Sequence, residues 1–360
     1  MSLHTYFRLF TYTQLMPLLE SGEETTLVGG QAVMEGVMMR APHSYCVAVR
    51  KKSGEIVTEE MPLPRISDQY KIFKYPIFRG VGTLFQAMSL GMKALKFSGD
   101  VALEDEAQEQ AKKQPAQAAV EVAAGTGAPG AVVAAAAAPA PPKKARKEVP
   151  AWALTINIVF SLAVFIAMNK LAPLWVATRL KESYPVFANL ALFNLADGVV
   201  RLLILVGFMF GLSLMKDFRR IFEFHGAEHK VVFNFESGKP VTVENAQKFT
   251  TFHPRCGTSF LVVVIFVSVI FYMAIPFQDF LPKLLARIAL LPLIAGVSYE
   301  VIRFAAKRRG SVLAAFAAPG LWMQRITTKP PSDDQAAVAI HALEGAMALE
   351  EKQGGELVIA

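Results

Sequence analysis

Charge and cysteine are both scarce in this chain. Asp, Glu, Lys and Arg supply only 19% of its 360 residues, against about a quarter in an ordinary soluble domain. Two cysteines, Cys46 and Cys256, are too few for the disulfide framework of a small secreted fold. Both fall in segments assigned below to the cytoplasm, where thiols stay reduced and are free or act as ligands. No basic stripe interleaved with aromatics is present, so a nucleic-acid partner is not expected. The net charge of +7 is instead concentrated beside apolar segments, where lysine and arginine meet anionic lipid. No internal repeat is visible. No secretory signal is expected either: Arg8 interrupts the apolar patches between Met1 and Leu19, and no small-residue cleavage site follows.

What the chain has in abundance is apolar length. Hydrophobic residues make up 53% of it. Four segments approach the roughly twenty residues that cross a bilayer: Trp152 to Trp175, Val186 to Met215, Phe260 to Phe277 and Phe280 to Val301. The fold class expected is an α-helical polytopic membrane protein with about four transmembrane helices and a small N-terminal α+β cytoplasmic domain. Lys143, Lys144, Arg146 and Lys147 precede the first segment, Lys216, Arg219 and Arg220 follow the second, and Arg303, Lys307, Arg308 and Arg309 follow the fourth. The positive-inside rule puts all three groups in the cytoplasm, with both termini, in a multi-pass protein of the bacterial inner membrane. Arg179 and Lys181 fall in an outer loop against this rule.

The organisation expected is a leader over 1–24, an N-terminal domain over 25–99, an Ala/Pro-rich disordered tether over 100–150, a membrane bundle over 151–330 and an amphipathic tail helix over 331–360. In the N-terminal domain, Ser44 to Arg50 and Ile56 to Thr58 flank a Lys52-Ser53-Gly54-Glu55 turn and read as a β-hairpin. Phe78 to Phe97 carries apolar residues at helical spacing and reads as a helix at the bilayer surface or against the hairpin. Ser311 to Trp322 is apolar but too short to cross, and Trp322 suits an interfacial anchor.

Histidine is concentrated. Of six in the chain, three lie between 225 and 253. His225-Gly226-Ala227-Glu228-His229 has the inverted-zincin order H-x-x-E-H. Two imidazoles at i and i+4 share one helix face and reach one divalent cation, zinc being the leading candidate. Glu228 stands where a carboxylate accepts a proton from water. A third ligand is open between His253, Cys256 and Glu300. Arg255 is a candidate for stabilising a developing oxyanion, beside Glu228 as the catalytic pair. The cluster lies in the loop 216–259, at the inner membrane surface.

Other polar points have two readings each. Asp197 and Arg201, four apart within the second apolar segment, suit a packing salt bridge or a proton or substrate path. Gln31, Glu35 and Arg40 punctuate the stretch Gly29 to Arg40, which ends in no Gly-Lys-Ser/Thr and is no P-loop. It reads either as a packed turn in which Glu35 pairs with Arg40, or as a segment that presents Gln31 and Glu35 to the metal loop.

Gly29–Arg40, His225–Lys230, His253–Ser259, Ser298-Tyr299-Glu300 and Thr327-Thr328-Lys329-Pro330 together resemble the YqhQ-like family of bacterial membrane proteins. The resemblance covers most of the chain outside 1–24 and the tether. It implies a domain of unknown function, described as a predicted metal-dependent enzyme, and names no substrate. Three functions therefore stand at this point. The first is a metal-dependent hydrolase with a membrane or peptide substrate. The second is a non-enzymatic membrane factor with a structural metal and a partner-binding N-terminal domain. The third is a small transporter using Asp197, Arg201 and Glu300. The oligomeric state is open.

Overall fold

A computed structural model describes residues 28–64, 66–125, 151–253, 256–307 and 312–352. The expected leader, residues 126–150 of the expected tether, and Arg255 lie outside the described residues.

The first element is a four-stranded antiparallel meander: β1 Gly29–Val33, β2 Gly36–Arg40, β3 Ser44–Arg50 and β4 Ile56–Pro62, in that spatial order. The β3–β4 hairpin joins its strands through the expected turn. The stretch Gly29 to Arg40 is a second hairpin, with Gly30 opposite Met39 and Val33 opposite Gly36. Both faces of the sheet are covered, so β3 reads as a continuous apolar run, not an alternating one. Its even-numbered residues Cys46 and Ala48 join a core with Phe224, Ala227, Val231, Ala339 and Leu343. The odd-numbered Tyr45, Val47 and Val49 face Leu90, Ala94 and Val101 of helix α1, Phe78–Gly125.

The course of α1 corrects the expected tether. Residues 100–125 continue the helix because Ala, Glu, Gln and Lys, the bulk of that stretch, are strong helix formers.

Helices α2, Ala151–Ile166, and α3, Ala172–Ser183, are joined by a π-helical turn, Ala167–Leu171. Then follow α4, Leu190–Leu214, and α5, Lys216–Glu236, separated by the extended residue Met215. The later elements are α6, Gly257–Met273; α7, Phe280–Ala289; α8, Leu291–Lys307; α9, Val312–Thr327; and α10, Asp333–Lys352. Two helical runs, Val159–Ser183 and Leu190–Leu214, are long and apolar enough to cross a membrane. A third candidate is the pair α7–α8, bent by 48° at its break. Helix α6 is shorter, at 17 residues.

The tail helix α10 lies on the sheet. Ala336, Ala339, Ala342 and Ala346 recur at helical spacing and are fully buried, letting the helix settle closely onto the strands and α5. At its far end Glu350 accepts hydrogen bonds from His43 N (2.9 Å) and Ser44 Oγ (2.8 Å) and meets His43 Nδ1 at 2.7 Å. The sheet, α5 and α10 thus share one core although 270 residues separate β4 from α10.

A His-His-Cys cluster between the sheet and the apolar helices

Helix α5 carries the centre. It breaks from α4 at Met215, starts with Asp217 in its first turn, and stops at Ser237-Gly238, where Gly238 takes φ +70°. His225, Glu228 and His229 project from one face, as the i, i+3, i+4 spacing dictates. The imidazole rings of His225 and His229 are 4.4 Å apart.

Each ring is oriented from behind. His225 Nδ1 donates to the Thr327 carbonyl at 2.8 Å, and His229 Nδ1 donates to the Thr251 carbonyl. A carbonyl oxygen only accepts, so both Nδ1 atoms carry the proton and both Nε2 atoms face forward. Cys256 Sγ lies 3.2 Å from His225 Nε2. The ligand atoms of His225, His229 and Cys256 all fall within 4.8 Å of one another. Ligands bound at about 2.0–2.3 Å around a tetrahedral ion are separated by roughly 3.3–3.8 Å, so the donor set fits one divalent cation. Glu228 Oε2 sits at the edge of the same group, 3.5 Å from His229 Nε2 and 4.0 Å from His225 Nε2.

The electrostatics agree with the geometry. Burial alone would raise the Cys256 thiol, but the charges of His225 and His229 and their hydrogen bonds bring it well below its usual value. Burial alone would lower His225, yet the Cys256 thiolate, its hydrogen bond and Glu228 raise it to about 9. With protons as the positive charge, the site is a thiolate beside an imidazolium. A divalent ion bound there would displace the His225 proton, because a ligating imidazole is neutral, and would meet Cys256 already as the thiolate.

Segments distant in sequence hold the centre together. Gly226 faces the chain at Lys329 so closely that any Cβ would collide with the Lys329 carbonyl oxygen. There Lys329 N donates to Phe222 O at 2.9 Å. On the other side β1 passes over Glu228, and a Cβ on Gly30 would sit 2.6 Å from Glu228 Cγ. Gln324 of α9 receives a hydrogen bond from His253 N at 2.8 Å and donates to the His253 carbonyl at 2.8 Å and to Ser259 Oγ at 3.1 Å. It pins both sides of the short segment that delivers Cys256.

The remaining candidates are placed elsewhere. His253 is buried near the trio, its ring 5.6 Å from that of His229, but its Nε2 faces Glu236 Oε2 at 3.6 Å and its ring stacks edge-on against Phe233. Burial lowers its pKa. Glu300 is held by the Arg79 guanidinium and the Ile77 amide at the start of α1, so it does not join the cluster. Glu35 pairs with Arg220 on α5, two turns before Glu228. The expected Glu35–Arg40 pair does not form: Glu35 lies in the turn before β2 and Arg40 at the far end of that strand. Gln31 packs against Gly91 of α1, and Arg40 lies beside Gly29. Asp197 and Arg201 do pair, within the apolar helices and together with Arg287.

The carbonyls of Thr251 and Thr327 and the side chain of Gln324 were not legible as site components.

Residues 75–349 match the family described as "Protein of unknown function (DUF1385)". The chain is 31% identical to the uncharacterized protein YqhQ of Bacillus subtilis (strain 168) over 329 residues, covering 89% of this chain and 92% of that one. No solved structure matches.

Proposed function

As the chain belongs to the DUF1385 family, whose description carries no activity, we propose from its own geometry that it is a metal-dependent hydrolytic enzyme of the bacterial inner membrane. One observation carries the proposal. Two histidines are clamped through Nδ1 so that both Nε2 atoms converge with one cysteine sulfur, beside a carboxylate that is outside the trio. Three protein ligands and a neighbouring Glu form the pattern of a catalytic zinc centre, which keeps a fourth position open. A divalent ion there, zinc for choice, would lower the pKa of a water to about 7. Glu228 Oε2 would take the proton from that water and return it to the leaving group. Gly30 and β1 press Glu228 toward the trio, so its position is set by backbone. Arg255, adjacent to Cys256 in sequence, remains a candidate for charge stabilisation.

The second reading is a structural metal in a non-enzymatic membrane factor. What favours it is that the centre ties together three segments remote in sequence, on α5, around Thr251–Cys256 and at Thr327–Lys329. Glu228→Gln separates the two. In the catalytic reading the variant keeps its metal and thermal stability and fails to complement a deletion strain, because an amide cannot accept the proton. Full complementation by Glu228→Gln would leave only the structural reading. Complementation by wild-type protein that binds no metal would remove both.

The sidedness has a physical argument too. The sheet, α5 and α10 pack in one core, so they lie on one side of the membrane. An even number of crossings must then separate the sheet from α5, and α5 from α10. The first count is met by Val159–Ser183 and Leu190–Leu214. The second is met when α6 pairs with the bent α7–α8 run, which gives four crossings. The basic clusters assign the shared side to the cytoplasm.

A further inference from the structure

A second polar cluster lies among the apolar helices, apart from the His-Cys centre. Arg201 and Arg287 both reach Asp197, at 2.5 and 2.6 Å, and are almost wholly buried. Lys170 Nζ donates to the Tyr272 hydroxyl at 2.9 Å. All three cations surround a single ring: Lys170, Arg201 and Arg287 lie 5.5, 5.1 and 4.4 Å from the Tyr272 centroid. Tyr272 is fifteen residues beyond Gly257 on α6, about 22 Å along a helix axis. The cluster is therefore far from the metal ligands.

Its charge does not balance. Two guanidinium groups share the single carboxylate of Asp197, with the Lys170 amine beside them on Tyr272, and in a low-dielectric interior an uncompensated positive charge is costly. Its donors are not all used. The Nε atoms of Arg201 and Arg287 are buried without a hydrogen-bond partner among the described residues. Lys170 has three ammonium protons, of which the Tyr272 hydroxyl takes one. The helices are interrupted at this level as well. Lys170 belongs to the π-helical turn Ala167–Leu171, and Arg287 is two residues from the end of α7, before the 48° bend. Both interruptions are of the kind that membrane proteins concentrate at ion and substrate sites.

We propose that this cluster binds a phosphate group, held by Lys170 Nζ and the two free guanidinium Nε–H donors, with Tyr272 positioning the lysine. Phosphate suits it because its several oxygens accept donors carried on different helices around one ring, and its charge of one to two offsets the surplus. Asp197 holds the two arginines in place by their other nitrogens, so the ligand and the carboxylate do not compete for the same protons.

The test uses the full-length protein in neutral detergent and in phosphatidylcholine vesicles. Inorganic phosphate is titrated in the first, against chloride at equal ionic strength, and phosphatidate is included in the second, with thermal unfolding as the readout. The wild type is expected to gain stability from the phosphate group and not from chloride. A response to inorganic phosphate assigns a soluble anion, and a response to phosphatidate alone assigns a lipid headgroup. Lys170→Met should weaken the response roughly tenfold, as expected for one charged hydrogen bond. Arg201→Lys keeps the ion pair and removes one Nε donor, so it gives an independent reading if Lys170→Met does not fold. No stabilisation in either arm, equal stabilisation by chloride, or wild-type responses in both variants would overturn the proposal.

Discussion

At the scale of single residues, the most exacting position in the centre is Gly226. It has no positive φ and needs none: what excludes a side chain is the Lys329 carbonyl pressed against its α-carbon. Gly226→Ala should push the Thr327–Lys329 segment off α5, release His225 Nδ1 and cost upwards of about 2 kcal/mol, since backbone cannot yield as a side chain can. Metal content and thermal unfolding of the purified variant check this; unchanged values for both would contradict it. The H-x-x-E-H motif was legible because its geometry is local to one helix. The third member of the cluster was not. Cys256 and Glu300 looked alike as candidates until Arg79, 221 residues from Glu300, claimed the carboxylate. A partner that remote leaves no mark on the spacing of a motif.

Glu350 gives a pH prediction at the same scale. Burial alone would raise its pKa, but hydrogen bonds from His43 and Ser44 prevail and lower it. A carboxylate depressed in the folded state stabilises fully above its unfolded pKa, near 4.3, and loses that contribution as pH falls through its folded value. Glu350→Gln should therefore cost about 2 kcal/mol at pH 7. The gap between variant and wild type should close in acid, below pH 4. Melting curves at both pH values decide the matter; a gap that stays constant would show that Glu350 acts by packing alone.

At the scale of elements, α10 is the piece whose role changed most between sequence and structure. The sequence marked an amphipathic helix, but nothing in the pattern said which surface its apolar face would meet. The partner is the sheet, and the core between them includes Cys46, Ala48, Val338 and Leu343. The β1–β2 hairpin was hidden for a different reason: glycine and methionine are poor strand indicators, and the alternation of β2 is masked because both faces are buried. Truncation after Pro331 should uncover the upper face of the sheet while leaving the apolar helices inserted. Limited proteolysis of membranes from cells making the truncated chain should then cut within 29–62, where the full-length protein resists. Equal resistance would show that α10 is not needed to protect the strands.

At the scale of the whole molecule, composition announced the apolar helices, and the basic clusters suggested their direction. The shared core of sheet, α5 and α10 adds a constraint that neither could supply: helices that cross a membrane between these elements must do so an even number of times in each interval. Reporter fusions after Ser237 and after Gln278 are expected to give opposite readouts, cytoplasmic for the first and external for the second. Matching readouts would mean that α6 re-enters instead of crossing.

The pairing of the earliest strands with the last helix also sets an order of events during synthesis. A ribosome finishes β4 and must add 270 more residues before α10 begins, which at 5–20 residues per second takes on the order of tens of seconds. Throughout that interval the strands wait without their cover, and the carbonyl that orients His225 has not yet been made. The His-Cys centre therefore comes into being only when translation is nearly complete and the helices between are in place. A chain stalled or cut short before Thr327 would carry both histidines without the carbonyl that orients His225.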